Sequence, residues 1–149
     1  MKQSFLSCNE IETKKLGKLL ARKLPSGSVV ALKGDLGAGK TTLVRGVAEG
    51  LNIKEVVQSP TFNIMKIYLK GDRPLIHIDA YRLADLNTDI GLDEYIGYET
   101  GLTMIEWPDF ICNLLPEDVI SITLLRKDDE VRDIEIEASE EILKEISNG

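Results

Sequence analysis

The sequence predicts a single α/β domain with a mixed sheet, and three observations support this prediction. The chain has 149 residues, the usual length of one domain, which excludes a large barrel enzyme or a separate substrate domain. In the first half, helical patterns alternate with short apolar runs, as they do in units that build a parallel sheet. In the second half, two pairs of strand-like runs are separated by short polar turns, which predict antiparallel hairpins.

The first half opens with a strand at residues 3–7 and a capped helix. Asn9 followed by Glu12 is an N-cap pattern with a glutamate three residues later, and a Pro-Ser-Gly run ends the apolar stripe that follows. Residues 29–32 are a continuous apolar run, which predicts a strand buried on both faces. A glycine-rich turn and a helix over about residues 40–51 come next.

The second half contains five strand-like runs. They are residues 61–69, 75–79, 102–106, 119–125 and 131–137. The short polar turn between the first two and the charged turn between the last two predict two hairpins. Residues 83–99 have a helical pattern interrupted by glycines, and Ser139 is the predicted cap of a short final helix.

The charge balance excludes one function class. Eighteen basic residues against 25 acidic ones give a net charge of −7, and phosphate contacts from Lys and Arg supply most nucleic-acid affinity. The chain is therefore a poor stand-alone binder of RNA or DNA. Its two cysteines, Cys8 and Cys112, lack metal or disulfide spacing. With no signal peptide or long apolar run in the sequence, we expect a soluble, reduced, cytoplasmic protein.

Residues 34–41 read GDLGAGKT, which matches the phosphate-binding pattern G-x-x-x-x-G-K-[ST]. An apolar strand precedes it and a helix follows, as this motif requires. Gly37 and Gly39 allow the backbone to wrap a phosphate without Cβ clashes, so that N–H groups point inward. We take Gly37, Ala38 and Gly39 as candidate phosphate-binding residues.

The start of the following helix supplies the rest of this site. The helix N-terminus carries partial positive charge, and Lys40 can reach the terminal phosphates. The Thr41 hydroxyl can hold Mg²⁺, and Thr42 is a further candidate contact. The motif predicts a nucleoside triphosphate but not its use. The strings N-K-x-D and D-x-x-G of GTPases do not occur, which favours adenine by elimination.

Two acidic residues compete for the role of catalytic or metal-binding carboxylate. Asp79 and Glu106 each end an apolar strand, where open α/β sheets bind ligands. His77 shares a strand face with Asp79, and we favour a hydrogen-bonded packing residue over a catalytic base for it. Trp107, the only tryptophan, is either a core residue or an aromatic cover over the site. Thr61 lies in a Ser-Pro-Thr-Phe segment and is a candidate sensor of the γ-phosphate.

Four blocks together resemble one family, the TsaE family. They are GDLGAGKTT at 34–42, SPTF at 59–62, H-x-D-x-Y-R-L at 77–83 and EW at 106–107. The phosphate-binding loop alone is common to many families, but its combination with the other three blocks is specific. The resemblance implies a P-loop NTPase-like three-layer sandwich with a mixed, mostly parallel sheet and antiparallel hairpins, formed by residues 1–149 as one P-loop ATPase domain.

The resemblance also implies a function. TsaE proteins are small bacterial ATPases that use ATP and Mg²⁺ and work with TsaB and TsaD to form threonylcarbamoyladenosine on tRNA, without performing the carbamoyl transfer themselves. Carried over by motif, Lys40 and the loop bind phosphates, and Thr41 and Glu106 bind Mg²⁺. Asp79 is needed for hydrolysis, and Trp107 lies near the nucleotide.

Three further roles are implied by the resemblance. Asn9, before the first helix, contacts the nucleotide, and residues 59–62, including Thr61, act as a switch segment. A late hairpin around residues 129–132 also approaches the nucleotide, although here it lacks the usual glycine.

Two alternatives stay open. Small-molecule kinases usually carry an arginine-rich lid, whereas the six arginines of this chain are scattered. A non-hydrolysing switch that binds ATP would use the same residues as an ATPase. No internal arginine finger is identifiable, so hydrolysis by the isolated protein should be slow. Because of the net charge of −7, we expect tRNA contact to run through the TsaB and TsaD partners.

Overall fold

The computed structural model describes residues 1–35, 38–55, 57, 65–80 and 95–147. It contains seven strands, three α-helices and a 3₁₀ segment within these ranges. The strands are β1 (Lys2–Ser7), β2 (Val29–Lys33), β3 (Met65–Tyr68), β4 (Leu75–Asp79), β5 (Leu102–Glu106), β6 (Ile120–Arg126) and β7 (Arg132–Glu137). The helices are α1 (Glu10–Lys23), α2 (Lys40–Gly50) and α3 (Glu140–Ser147), and the 3₁₀ segment is Pro108–Leu114.

All seven described strands form one sheet in the order β1-β7-β6-β2-β5-β4-β3. The four central strands, β6, β2, β5 and β4, are mutually parallel. Strand β7 pairs antiparallel with both β6 and β1, and β3 pairs antiparallel with β4. Strand β1 therefore runs in the same direction as β2, and its carboxyl end lies at the edge of the sheet where the central strands end.

The two faces of the sheet carry separate hydrophobic clusters. One cluster joins the sheet to the helices through residues such as Leu20, Leu43 and Met104. The other lies between the sheet and the 3₁₀ segment with its neighbouring turns, around Ile78 and Ile111. The result is a three-layer α/β fold with a mixed sheet, as predicted. In the described part of the chain, the third layer consists of the 3₁₀ segment and turns rather than an α-helix.

Most predicted elements are confirmed within one or two residues, and both hairpins are present. Of the predicted strand 61–69, residues 65–68 are observed, and residues 61–64 lie outside the described residues. Asn9 accepts a hydrogen bond from the Glu12 N–H at 2.9 Å, and Ser139 accepts one from the Ile142 N–H at 3.3 Å, so both predicted caps are present. The helical prediction for 83–99 is wrong at residues 95–99, which form turns, while 83–94 lie outside the described residues. None of the described helices is long and apolar enough to cross a membrane.

Glycines hold α1 and α2 in close contact. A Cβ added to Gly46 would lie 2.4 Å from the Lys14 carbonyl oxygen, and one added to Gly17 would lie 2.5 Å from the Leu43 carbonyl oxygen. These contacts join backbone to backbone, so no side chain can move aside. The close approach fixes α2, and with it the phosphate-binding loop, against the rest of the domain.

We expect Gly46→Ala to destabilise the fold by about 1–3 kcal/mol, because the added methyl overpacks a rigid contact. Without that contact the same change would stabilise the helix by up to about 1 kcal/mol, since alanine has the higher helix propensity. Urea unfolding measures whether the substitution lowers or raises the free energy of unfolding. Glu145→Ala, at an exposed site on α3, is the control and should stay within about 0.5 kcal/mol. A more stable Gly46→Ala variant would contradict the close approach.

Candidate nucleotide site

The loop between β2 and α2 is shaped by positive backbone angles at two glycines. Gly34 has φ +149, and a Cβ there would lie 2.6 Å from the Leu124 carbonyl oxygen. Gly39 precedes α2 as its N-cap with φ +102 and makes no side-chain cap. Both positions favour glycine, because L side chains rarely adopt these angles. The first N–H groups of an α-helix have no acceptor within the helix, so the start of α2 can bind an anion.

The side chain of Lys40 is a buried cation in the described structure. The residue is 5% exposed, and no hydrogen-bond acceptor for Nζ is found among the described residues. Burial lowers the pKa of Lys40, and the negative charges of Glu106, Asp79 and Asp35 oppose that shift. A buried cation without an acceptor is costly by itself. The oxygens of a polyphosphate would supply the missing acceptors.

Strand register brings Asp79 and Glu106 side by side. They are paired residues at the ends of the parallel neighbours β4 and β5, and both are buried. Side chains alternate along a strand, so Glu106 shares a face with Met104, which packs in the cluster with the helices. Glu106 is also paired with Leu32 of β2, the strand that leads into the loop. Glu106 thus lies one strand from the loop and Asp79 lies two strands from it.

His77 contacts Glu106 directly. Its Nε2 lies 2.7 Å from Glu106 Oε2, and the two side chains are 0% and 6% exposed. The prediction of a hydrogen-bonded His77 is confirmed, and its partner is the candidate metal ligand.

Trp107 covers the ammonium group of Lys40. Lys40 Nζ lies 3.8 Å from the centroid of the Trp107 ring, a cation–π contact. Trp107 has φ 57, an uncommon backbone conformation for a bulky residue, and strain of this kind clusters at functional sites. The ring of Trp107 therefore lies over Lys40, which favours the interpretation as an aromatic cover, and its contact with a nucleotide stays a prediction.

The comparisons with known proteins agree on one family. The family model described as "Threonylcarbamoyl adenosine biosynthesis protein TsaE" matches residues 7–134. The chain belongs to the TsaE family. It is 45% identical over 135 residues to the TsaE protein of Bacillus subtilis, covering 90% of this chain and 85% of that one. It is 44% identical over 115 residues to the TsaE protein of Treponema pallidum, covering 76% and 84%.

A solved structure is similar over almost the whole chain. The crystal structure of YdiB from Bacillus subtilis superposes with a TM-score of 0.86 at 37% identity, covering 99% of this chain and 95% of the other. Proteins of the TsaE family take part in the biosynthesis of threonylcarbamoyladenosine on tRNA.

The remaining predicted site residues lie in α2, before α1 or outside the described residues. Thr41 and Thr42 occupy the first turn of α2, half-buried beside Lys40. Asn9 caps α1 at the edge of the sheet where the loop lies. Gly37 and Thr61 lie outside the described residues, as does the whole switch segment 59–62, so their expected roles stay predictions.

For one residue that contacts the loop, the sequence predicts no role beyond its place in the hairpin 129–132. Arg132, at the start of β7, donates from Nε to the Ala38 carbonyl at 3.0 Å. Its Nη1 lies 3.0–3.1 Å from three carbonyl oxygens of the hairpin turn, those of Asp128, Asp129 and Val131. Arg132 therefore ties the hairpin turn to the loop. The expected approach of residues 129–132 was the only signal for this role, because the partners are 94 residues apart.

We expect Arg132→Ala to weaken ATP binding by about tenfold, since one charged hydrogen bond to the loop contributes about 1.5 kcal/mol. The variant should also lose about 0.5–1.5 kcal/mol of stability, because the hairpin carbonyls, most of them exposed, exchange the arginine donor for water. Arg126→Ala is the matched control on the same hairpin: its ion pair with Asp129 is exposed and contributes little. Calorimetric titration with ATP and urea unfolding measure the two effects. Equal affinities of the two variants would contradict the role of Arg132.

Proposed function

We propose that this protein binds ATP with Mg²⁺, hydrolyses it slowly alone, and thereby supports a TsaB–TsaD-type complex that forms threonylcarbamoyladenosine on tRNA. The observation that carries the proposal is the Lys40 ammonium. It is buried at the start of α2 beside two carboxylates, and it has no acceptor among the described residues. Burying such a cation costs free energy, and the oxygens of a bound polyphosphate would offset that cost by accepting its hydrogen bonds.

The residues around Lys40 fit a magnesium–nucleotide complex. Mg²⁺ prefers oxygen ligands and is usually held by one or two carboxylates, a hydroxyl and substrate phosphates. Thr41 and Glu106 would hold the ion, while Asp79, one strand further from the loop, would orient the attacking water. Bound Mg²⁺ would neutralise the charge that develops on the phosphates.

The tRNA connection is proposed to run through partner proteins. The chain carries a net charge of −7, which opposes binding to a polyanion. We therefore assign tRNA contact to the TsaB and TsaD homologues. We also propose that all three proteins act in the cytoplasm. The isolated protein should show no salt-sensitive tRNA binding comparable to that of the assembly, and such binding would contradict this assignment.

The decisive experiment is ATP hydrolysis with and without TsaB and TsaD homologues. We expect slow turnover alone and strong stimulation by the complex, because a positive charge supplied by a partner raises kcat by about 10³–10⁵ in other P-loop enzymes. Full turnover without partners would contradict the dependence on them. Stoichiometric transfer of phosphate to a metabolite would instead indicate a kinase, and tight ATP binding without turnover in any assembly would indicate a non-hydrolysing switch.

A further inference from the structure

We propose that His77 is a positioning residue for Glu106, which it orients toward the metal through one buried hydrogen bond. This inference rests on the proposed function, because the orientation matters only if Glu106 binds Mg²⁺. It assigns a chemical role to a histidine that sequence patterns interpret as packing.

The bond is short, buried and directional. His77 Nε2 lies 2.7 Å from Glu106 Oε2, with 0% and 6% of the two side chains exposed. A carboxylate only accepts hydrogen bonds, so Nε2 carries the hydrogen and donates it. The side chains come from neighbouring parallel strands, with Glu106 two positions beyond the register partner of His77, which is Met104. The sheet thus fixes the donor relative to the acceptor.

The bond restricts the carboxylate in a way that suits a metal ligand. With Oε2 held by His77, rotation of the Glu106 carboxylate is restricted, and Oε1 is the oxygen left to face a cation. Groups that hold a metal ligand in this way commonly affect metal affinity by about 10–100-fold when they are removed. The candidate metal ligand is thus already oriented before any ligand binds.

A purely packing role explains the site less well. Nδ1 of His77 is buried, and no hydrogen-bond partner for it is found in the described ranges. An apolar side chain would fill the same space without leaving a buried polar atom unpaired, which costs about 1–3 kcal/mol. Only a side chain with a hydrogen-bond donor at position 77 can make the bond to Glu106.

Three substitutions separate orientation from packing. In His77→Gln the amide nitrogen is four bonds from Cα, as Nε2 is in histidine, so the donor to Glu106 is retained. In His77→Asn the amide is one bond shorter and does not reach, although the side chain stays polar. His77→Leu removes the donor and keeps an apolar volume. If the leucine variant does not fold, the asparagine and glutamine variants still form a matched pair that differs in the reach of the donor.

The readout is the Mg²⁺ dependence of nucleotide binding, measured by calorimetry with the non-hydrolysable analogue AMP-PNP in Mg²⁺ and in EDTA. We expect His77→Asn and His77→Leu to raise the Mg²⁺ concentration needed for half-maximal tight binding by about 10–100-fold. Affinity in EDTA should stay within about threefold of the wild type, since the phosphate contacts are intact. His77→Gln should recover most of the Mg²⁺ response.

If the wild type binds AMP-PNP more tightly in Mg²⁺ and all three folded variants respond to Mg²⁺ as it does, the positioning role is overturned and the proposed function stands. If glutamine and asparagine impair the response equally, or if affinity in EDTA falls as much as affinity in Mg²⁺, His77 acts through packing. If the wild type itself does not bind AMP-PNP, the proposed function fails first.

Discussion

Replacing Lys40 by methionine should reduce the affinity for Mg²⁺–ATP by at least about 100-fold. Two charged hydrogen bonds from the ammonium to phosphate oxygens contribute about 3 kcal/mol or more, which is about two orders of magnitude in Kd. Methionine has a similar length and no charge, so the buried position stays filled. Calorimetric titration with ATP measures the loss directly.

Two controls make this result specific to the site. Lys144→Met removes a lysine on α3 whose only described ion pair is exposed, and it should bind ATP as the wild type does. Urea unfolding of Lys40→Met must show a cooperative transition, so that lost affinity is not lost fold. A folded Lys40→Met variant with affinity within threefold of the wild type would remove the main support for the nucleotide site.

The sequence predicts the elements of this fold well because the decisive signals are local. The apolar run of β2, the caps at Asn9 and Ser139, and the polar turns of both hairpins act over a few residues, and each is found in the structure. The loop before α2 follows from the same kind of signal, since Gly34 and Gly39 stand where positive φ angles are needed.

The side-chain contacts that the sequence does not predict are those that depend on strand order. β2 lies between β5 and β6, although both of those strands come much later in the chain. That order puts Glu106 next to the loop-bearing strand, and strand β4 on its other side contributes His77. The Arg132 contact with Ala38 has the same origin. No local pattern encodes these pairs, because each is produced by long-range strand pairing.

The positive φ of Trp107 is a third feature that local rules do not predict. The residue pattern places Trp107 after a strand and leaves core and cover open, and only the TsaE resemblance places it near the nucleotide. The turn at Trp107 directs the ring over Lys40 instead of into the sheet. Local preference disfavours this conformation, and the exception occurs at the proposed site.

The second large effect concerns the two carboxylates. We expect Glu106→Gln to lower kcat by about 100-fold or more and to abolish the tightening of nucleotide binding by Mg²⁺, because an amide is a much weaker ligand for a hard cation. Affinity in EDTA should stay within about threefold. The substitution preserves shape and can still accept the His77 hydrogen bond, so the change tests charge at the metal rather than packing.

Asp79→Asn should give a different pattern. Asp79 lies one strand further from the loop than Glu106, and strands are about 4.8 Å apart, so it is better placed to act on the attacking water than on the ion. Turnover should fall by about 100-fold or more while Mg²⁺ still tightens AMP-PNP binding. Asp118→Asn, an exposed carboxylate before β6, serves as the control with no change expected in either quantity.

The comparison of these variants decides which carboxylate binds the metal. If Glu106→Gln keeps the Mg²⁺ response and Asp79→Asn loses it, the metal role belongs to Asp79, and the strand-register argument for Glu106 is wrong. If both lose it, the two carboxylates share the ion, directly or through water. If only Glu106→Gln loses the Mg²⁺ response, the result agrees with the strand register. The loop-bearing strand β2 is paired with β5, which carries Glu106, and not with β4.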